Sequence, residues 1–200
     1  MRAFFYIDGF NLYYGGLQGK DRKWLDLPKL CGKLLPEATE VKVKYFTARV
    51  RADSGDKGAP QRQDVYLRAI SNLPNLEIFY GKFYRNQKFQ KLVTPPPKRA
   101  WVWVNEEKGS DVNLAVQAVH DGHRKLYDAC CIVSADSDLV PAIKIVQDDL
   151  ALPVHVFVPP LRRSVELLNI STTYRKIRVS TIEACQLPDP LNGLTKPPSW

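Results

Sequence analysis

Apolar runs of strand length recur along this chain with room for a helix between them, and that alternation limits the fold more than any single residue does. "AFFYI" (Ala3–Ile7), "EVKVKYF" (Glu40–Phe46), "LEIFYGKF" (Leu76–Phe83), "DACCIV" (Asp128–Val133) and "VHVFV" (Val154–Val158) read as strands. Between them lie stretches with helical spacing. "LPKLCGKLL" carries Leu27, Leu30, Cys31 and Leu34 on one face, with Pro28 suited to a first turn. "QRQDVYLRAI" places Val65, Tyr66, Ala69 and Ile70 together. "GSDVNLAVQAVHDG" offers Ser110 as an N-cap and Val112, Ala115, Val116 and Val119 as an apolar stripe. "DLVPAIKIVQDD" and "RRSVELLN" supply two more helices, the first with Leu139, Ile143, Val146 and Leu150 inward.

Strands that alternate with helices require a parallel sheet with right-handed crossovers. The expectation is an α/β chain, its central, mostly parallel sheet of about five strands flanked by helices. Residues 84–104 break the rhythm: two strand-like segments around "TPPPK" predict an inserted β-hairpin standing off the main sheet. The expected layout is one domain over residues 1–187 and a flexible tail over 188–200, where four prolines cluster.

The ends of these strands carry the chemistry. Ligands of open α/β sheets sit beyond the carboxyl ends of the strands. Asp8 directly follows the first strand, Asp136 and Asp138 follow "CCIV", and Asp111 opens a helix. Each has a plainer reading: a turn residue, a helix cap, or a favourable charge at a helix N-terminus. Together they suggest convergence from three loops. Crowded carboxylates repel at neutral pH, and a divalent cation relieves that repulsion. An all-oxygen set with no His or Cys pattern suits Mg²⁺ or Mn²⁺. Glu106 and Glu107 lie near enough to Asp111 to add a ligand. His120 and His123 are spaced for a shared metal but have no evident third ligand, and read as solvated helix-end residues. His155 reads as structural.

Competing chemistries lack their motifs. The chain has no G-x-x-x-x-G-K-[ST], no G-x-G-x-x-G after the first strand and no nucleophile elbow. A phosphatase of the Asp-x-Asp type is excluded by Phe10.

The segments "FYIDGFNLYYG", "KGSDVNLAVQAV" and "CCIVSADSDLVPAIKIVQD", in that order, resemble the NYN domain, a branch of the PIN-like nuclease superfamily. The resemblance spans residues 2–177. It implies a Rossmann-like PIN-type fold and a metal-dependent endoribonuclease, with Asp8, Asp111, Asp136 and Asp138 as catalytic and metal-holding residues. Asn11 matches the Asn of the first motif, either orienting Asp8 or a water or capping a helix. Ser134 contacts a ligand or phosphate, or ends its strand. Ala135 stands where the family often has Gly, a change that keeps both acids.

The chain carries 29 Lys and Arg against 21 Asp and Glu, a net charge of +8 and a pI near 9.3. A basic surface suits polyanions, nucleic acid foremost. The stretch 82–99 holds Lys82, Arg85, Lys88, Lys91, Lys98 and Arg99 with no acid. Aromatic residues interleave there and just beyond, the arrangement that holds phosphates and stacks unpaired bases. Lys108, Arg162 and Arg163 are further candidates for RNA, single-stranded or structured. Alternatively the aromatic face of the hairpin packs on the core or on a second subunit as a homodimer.

Three functions follow: a metal-dependent endoribonuclease, an RNA-binding PIN-like module with little turnover, and a small-molecule phosphoesterase, which the basic charge disfavours. No apolar stretch approaches the roughly 18 residues of a membrane span. The N-terminus lacks a signal-peptide pattern, and the four cysteines lack C-x-x-C spacing. A cytoplasmic protein with reduced thiols is expected.

Overall fold

A computed structural model describes residues 1–52, 56–94 and 98–198. The chain runs β1 (Arg2–Asp8), α1 (Gly9–Leu12), α2 (Leu27–Leu34), β2 (Glu40–Thr47), α3 (Ala59–Ser71) and β3 (Leu76–Tyr80). A hairpin of β4 (Lys82–Lys91) and β5 (Arg99–Lys108) follows. The second half is α4 (Ser110–His123), β6 (Ala129–Val133), α5 (Val140–Lys144), β7 (Val154–Val158), α6 (Val165–Ile170), β8 (Thr173–Lys176) and α7 (Val179–Glu183).

The main sheet has six strands in the order β3-β2-β1-β6-β7-β8, and every neighbouring pair is parallel. The expected sheet of about five strands therefore gains one at its edge. β8 is short and mostly polar, so no apolar run announces it. Two cores flank the sheet because successive side chains of a strand point to opposite faces. Phe5 and Ile7 pack with α2, α3 and Trp24, whereas Phe4 and Tyr6 pack with Leu114, Tyr127 and Ile143. β1 and β6 are central and apolar on both faces, as parallel strands covered by helices must be.

β1 and β6 diverge past their carboxyl ends: β1 hands over to β2 on one side and β6 to β7 on the other. This is the switch point at which open sheets form a crevice. Gly9 permits the turn out of β1, since a Cβ there would stand 2.7 Å from the Phe46 carbonyl oxygen. After α1 the chain widens, with Gln18 N–H donating to the Tyr13 carbonyl at 2.8 Å.

Helix α4 departs from its expected face. Leu114, Ala118 and Asp121 are buried, while Val112 and Val116 are 65% and 58% exposed. The helix is rolled so that Asp121 meets a buried lysine of β2: Lys44 Nζ lies 2.6 Å from Asp121 Oδ2, and the Tyr6 hydroxyl donates to the same oxygen at 2.7 Å. Ser110 is not the cap either. Gly109, at φ +97, occupies that position, and the Glu107 carboxylate accepts from Ser110 N–H at 3.1 Å and from its hydroxyl at 2.7 Å.

All four cysteines are buried free thiols. His155 Nδ1 meets the Thr173 hydroxyl at 2.9 Å in a structural contact, and His120 and His123 are exposed. Among the described residues no helix is long and apolar enough to cross a membrane. The hairpin is longer than its expected bounds of 84–104, and its "PPP" tip (95–97) lies outside the described residues. So do the last two residues of the tail. Before them, the Pro188 carbonyl accepts from the Trp24 indole at 2.9 Å, and Leu191 and Leu194 pack on the core.

Candidate active site

Asp8 ends β1 and is 4% exposed. Its two oxygens are spoken for: Oδ1 accepts from Asn11 N–H at 2.9 Å and Oδ2 from the Ser134 hydroxyl at 2.9 Å. Burial pushes its carboxyl up, and these two donors pull it back. The Asn11 side-chain oxygen in turn accepts from Ala135 N–H at 3.1 Å. Asn11 and Ser134 therefore tie the exit of β1 to the exit of β6, and both act on Asp8 or its loop from within the protein.

Asp136 continues the loop after β6. Its Oδ1 accepts from Asp138 N–H at 3.0 Å, so it caps the short turn Ser137–Leu139. Asp111 lies in the first turn of α4, half-buried. Its carboxyl is pushed up to about 6, first by burial and then by the charges of Asp8, Asp136, Glu107 and Asp138.

These acids meet in a pocket of about 330 Å³ at the switch point, which Asp8, Asp111, Asp136 and Arg162 all line. Asp138 is exposed and outside the wall, near enough to raise Asp111 by its charge. Arg162 follows β7, and Gly15 makes room for it: a Cβ at Gly15 would fall 2.7 Å from Arg162 Cγ. Glu107 also lines the pocket but serves Ser110, and Glu106 pairs with Lys88. Arg163 is exposed and stands outside that wall.

Among the described residues no three His, Cys, Asp or Glu side chains stand as a ready-made metal cage. The donors fit a hard divalent cation by their chemistry. They are carboxylate oxygens, they share one pocket, and their charges help raise the proton affinity of Asp111.

The register of the hairpin sorts the predicted basic residues. Strand alternation puts Phe83, Arg85, Gln87, Phe89 and Lys91 of β4 on one face together with Glu107, Trp103, Trp101 and Arg99 of β5. Phe83 and Glu107, at the root of this face, line the carboxylate pocket. Further out the Arg85 guanidinium lies 4.6 Å from the Trp103 ring centre, and Phe89 and Trp101 rings are 5.5 Å apart. Trp101 is 69% exposed. Lys82, Lys88 and Lys108 belong to the other face, where Lys88 pairs with Glu106 and Lys108 lies 4.0 Å from it. Lys98 is exposed beyond the strand ends.

A second cavity of about 560 Å³ adjoins the first and shares Phe10, Tyr14 and Phe83 with it. Sequence reading missed it, because its walls come from α1, β2 and α3, brought together only by the fold.

Three comparisons place these features. A solved structure from Vibrio parahaemolyticus, of a protein of unknown function, superposes with a TM-score of 0.55 at 18% identity, covering 88% of this chain and 93% of that one. It supports the α/β fold alone. The chain is 33% identical, over 236 aligned positions, to the 6-hydroxy-3-succinoylpyridine 3-monooxygenase HspA of Pseudomonas putida, covering all of this chain and 75% of that protein. The model of the NYN domain, whose family is generally nuclease-like, matches residues 2–178. With nearly its whole length matched, the chain belongs to the NYN domain family.

Proposed function

We propose that this protein is a metal-dependent endoribonuclease. The observation that carries the reading is the meeting of Asp8, Asp111 and Asp136, from three separate elements, in one pocket where burial and mutual repulsion raise Asp111. Mg²⁺ or Mn²⁺, held by these three with Asp138 at the rim, would supply an activated water and charge stabilisation for the leaving oxygen of a phosphodiester.

The chain's own residues do the rest. Asn11 and Ser134 fix the orientation of Asp8. Arg162 stands where a phosphate oxygen would need a counter-charge. The hairpin face from Phe83 to Trp101 runs outward from the pocket, offering ring surfaces to bases and Arg85, Lys91 and Arg99 to phosphates. A single strand laid there reaches the carboxylates at its inner end. The products are 5′-phosphate and 3′-hydroxyl ends, and the setting is the cytoplasm.

The test is incubation of purified protein with labelled single-stranded RNA and DNA, in Mn²⁺, Mg²⁺ or EDTA. RNA cleavage that needs metal and is lost in Asp111→Asn and Asp136→Asn is expected. Undiminished cleavage by both variants in EDTA refutes the mechanism. Metal-independent binding without cleavage would favour the RNA-binding module.

A second reading follows from the Pseudomonas putida relative, whose name assigns it a small hydroxylated pyridine. The aromatic cavity beside the carboxylates supports it. Turnover of 6-hydroxy-3-succinoylpyridine, supplied with oxygen and reduced nicotinamide or flavin, tests this reading separately.

A further inference from the structure

The 560 Å³ cavity is not needed by the carboxylate chemistry, yet it has the size of a small-molecule site. Three features describe what fits it.

First, its walls are rings. Tyr13, Tyr14, Tyr45 and Tyr66 line it together with the shared Phe10 and Phe83. Tyr13 and Tyr14 meet edge-on with centres 5.2 Å apart, and Phe10 meets Phe83 edge-on at 5.5 Å. An edge-on pair covers only the one face that receives the edge, and Phe10 and Tyr14 stack with centres 6.5 Å apart, so flat aromatic surface remains on the other faces for a guest.

Second, the walls are braced from behind. The Tyr66 hydroxyl donates to the Leu25 carbonyl at 2.9 Å. Gln63 bridges the loop after β2, accepting from Val50 N–H at 2.8 Å and donating to the Ala48 carbonyl at 3.0 Å. Such bracing holds an opening in shape before any ligand arrives.

Third, the charge is lopsided. Lys23, Arg51 and Arg62 line the cavity against one acid of its described lining, Asp56, which pairs with Arg62. Among the described lining the excess is two positive charges, three less one.

We propose that this cavity binds a planar aromatic ring carrying an anionic group, the ring among Tyr13, Tyr14 and Tyr45 and the anion toward Arg51. The proposal does not depend on nuclease activity. Two sources share this chemistry: a nucleotide of a strand threaded past the carboxylates, and a free aromatic acid.

Calorimetric titration of the full chain in EDTA tests it, with uridine 5′-monophosphate and pyridine-3-carboxylate as probes. Uridine, pyridine-3-carboxamide and ribose 5-phosphate supply the ring without the charge or the charge without the ring. At least one charged-ring probe should bind about tenfold tighter than each of its controls, two for the nucleotide and one for the pyridine acid, the size of one charge-assisted hydrogen bond. Arg51→Gln, at an exposed position, and Tyr13→Leu should each remove that advantage, while Arg124→Gln, exposed at the C-terminal end of α4 and lining neither pocket, should leave it. Preference for the nucleotide assigns the cavity to RNA, and preference for the pyridine acid assigns it to a small substrate. If neither probe binds, if the controls bind as well, or if both cavity variants bind like the parent, the proposal is wrong. RNA cleavage without probe binding refutes the cavity alone, and probe binding without cleavage refutes the nuclease alone.

Discussion

Helix α4 carries two buried-side carboxylates, and they meet opposite fates. Near its C-terminal end Asp121 is 2% exposed and fully answered, by the Lys44 ammonium at 2.6 Å and the Tyr6 hydroxyl at 2.7 Å. In its first turn Asp111 faces Asp8 and Asp136, and its carboxyl is pushed up to about 6. The same residue type on the same helix thus closes a structural gap at one end and opens an electrostatic one at the other. A folded chain tolerates unanswered charge only where something else arranges its relief, and this difference separates a core ion pair from a site.

Opposite signs are therefore expected when the two ends are perturbed. The largest effect is at the answered end: Lys44→Met strands the Asp121 charge in the core and should cost about 3–5 kcal/mol. Urea denaturation measures it, and a loss below 1 kcal/mol would mean that the pair is no more than a surface bridge. At the other end, Mn²⁺ at 100 times its dissociation constant should stabilise the parent by about 2.7 kcal/mol in thermal melts. Asp111→Asn and Asp136→Asn should gain much less. Equal gains in parent and variants would remove the contrast between the two ends.

A smaller effect is the pH dependence of the metal-free protein. The folded state holds a proton on Asp111 up to about pH 6, whereas the unfolded chain releases it near the ordinary aspartate value of 3.8. Between those values the folded state binds more protons, so stability falls as pH rises from 4 to 6. The expected fall is roughly 1 kcal/mol, reduced from the full linkage value because Asp111 still meets solvent. Asp111→Asn should flatten it. The smallest effect concerns the hairpin. Changing Arg85, Lys91 and Arg99 to Gln should lower the log–log salt slope of RNA binding by at most about 0.7 per contact. The same change at Lys82, Lys88 and Lys108 should leave it nearly unaltered, and an equal loss on both faces would undo the assignment of one face to the strand.

The sequence made the sheet legible because central parallel strands are continuous apolar runs, and "AFFYI" and "CCIV" are buried throughout. It hid β8, whose four residues are exposed or half-buried at an edge. It hid the role of Lys44 as well. In "EVKVKYF" an alternating lysine reads as solvated, and only α4, 77 residues further on, shows that it is covered. The same cause misled the apolar stripe of α4, since the polar Asp121 belongs to its buried face. Asp8, Asp111 and Asp136 were legible because strand and helix ends fix where their side chains emerge. The split of the hairpin lysines was not, because it depends on register, and the cavity was not, because three distant elements build it.

The bond from the Ser134 hydroxyl to Asp8 spans 126 residues. Contacts of that separation close late, after shorter loops have formed. During synthesis Asp8 emerges long before Ser134, and β1 has no partner on its β6 side until the intervening residues have followed. A growing chain thus has no assembled pocket, and neither half of the molecule contains one. The pocket is complete only when this long loop closes, so its assembly comes late in folding.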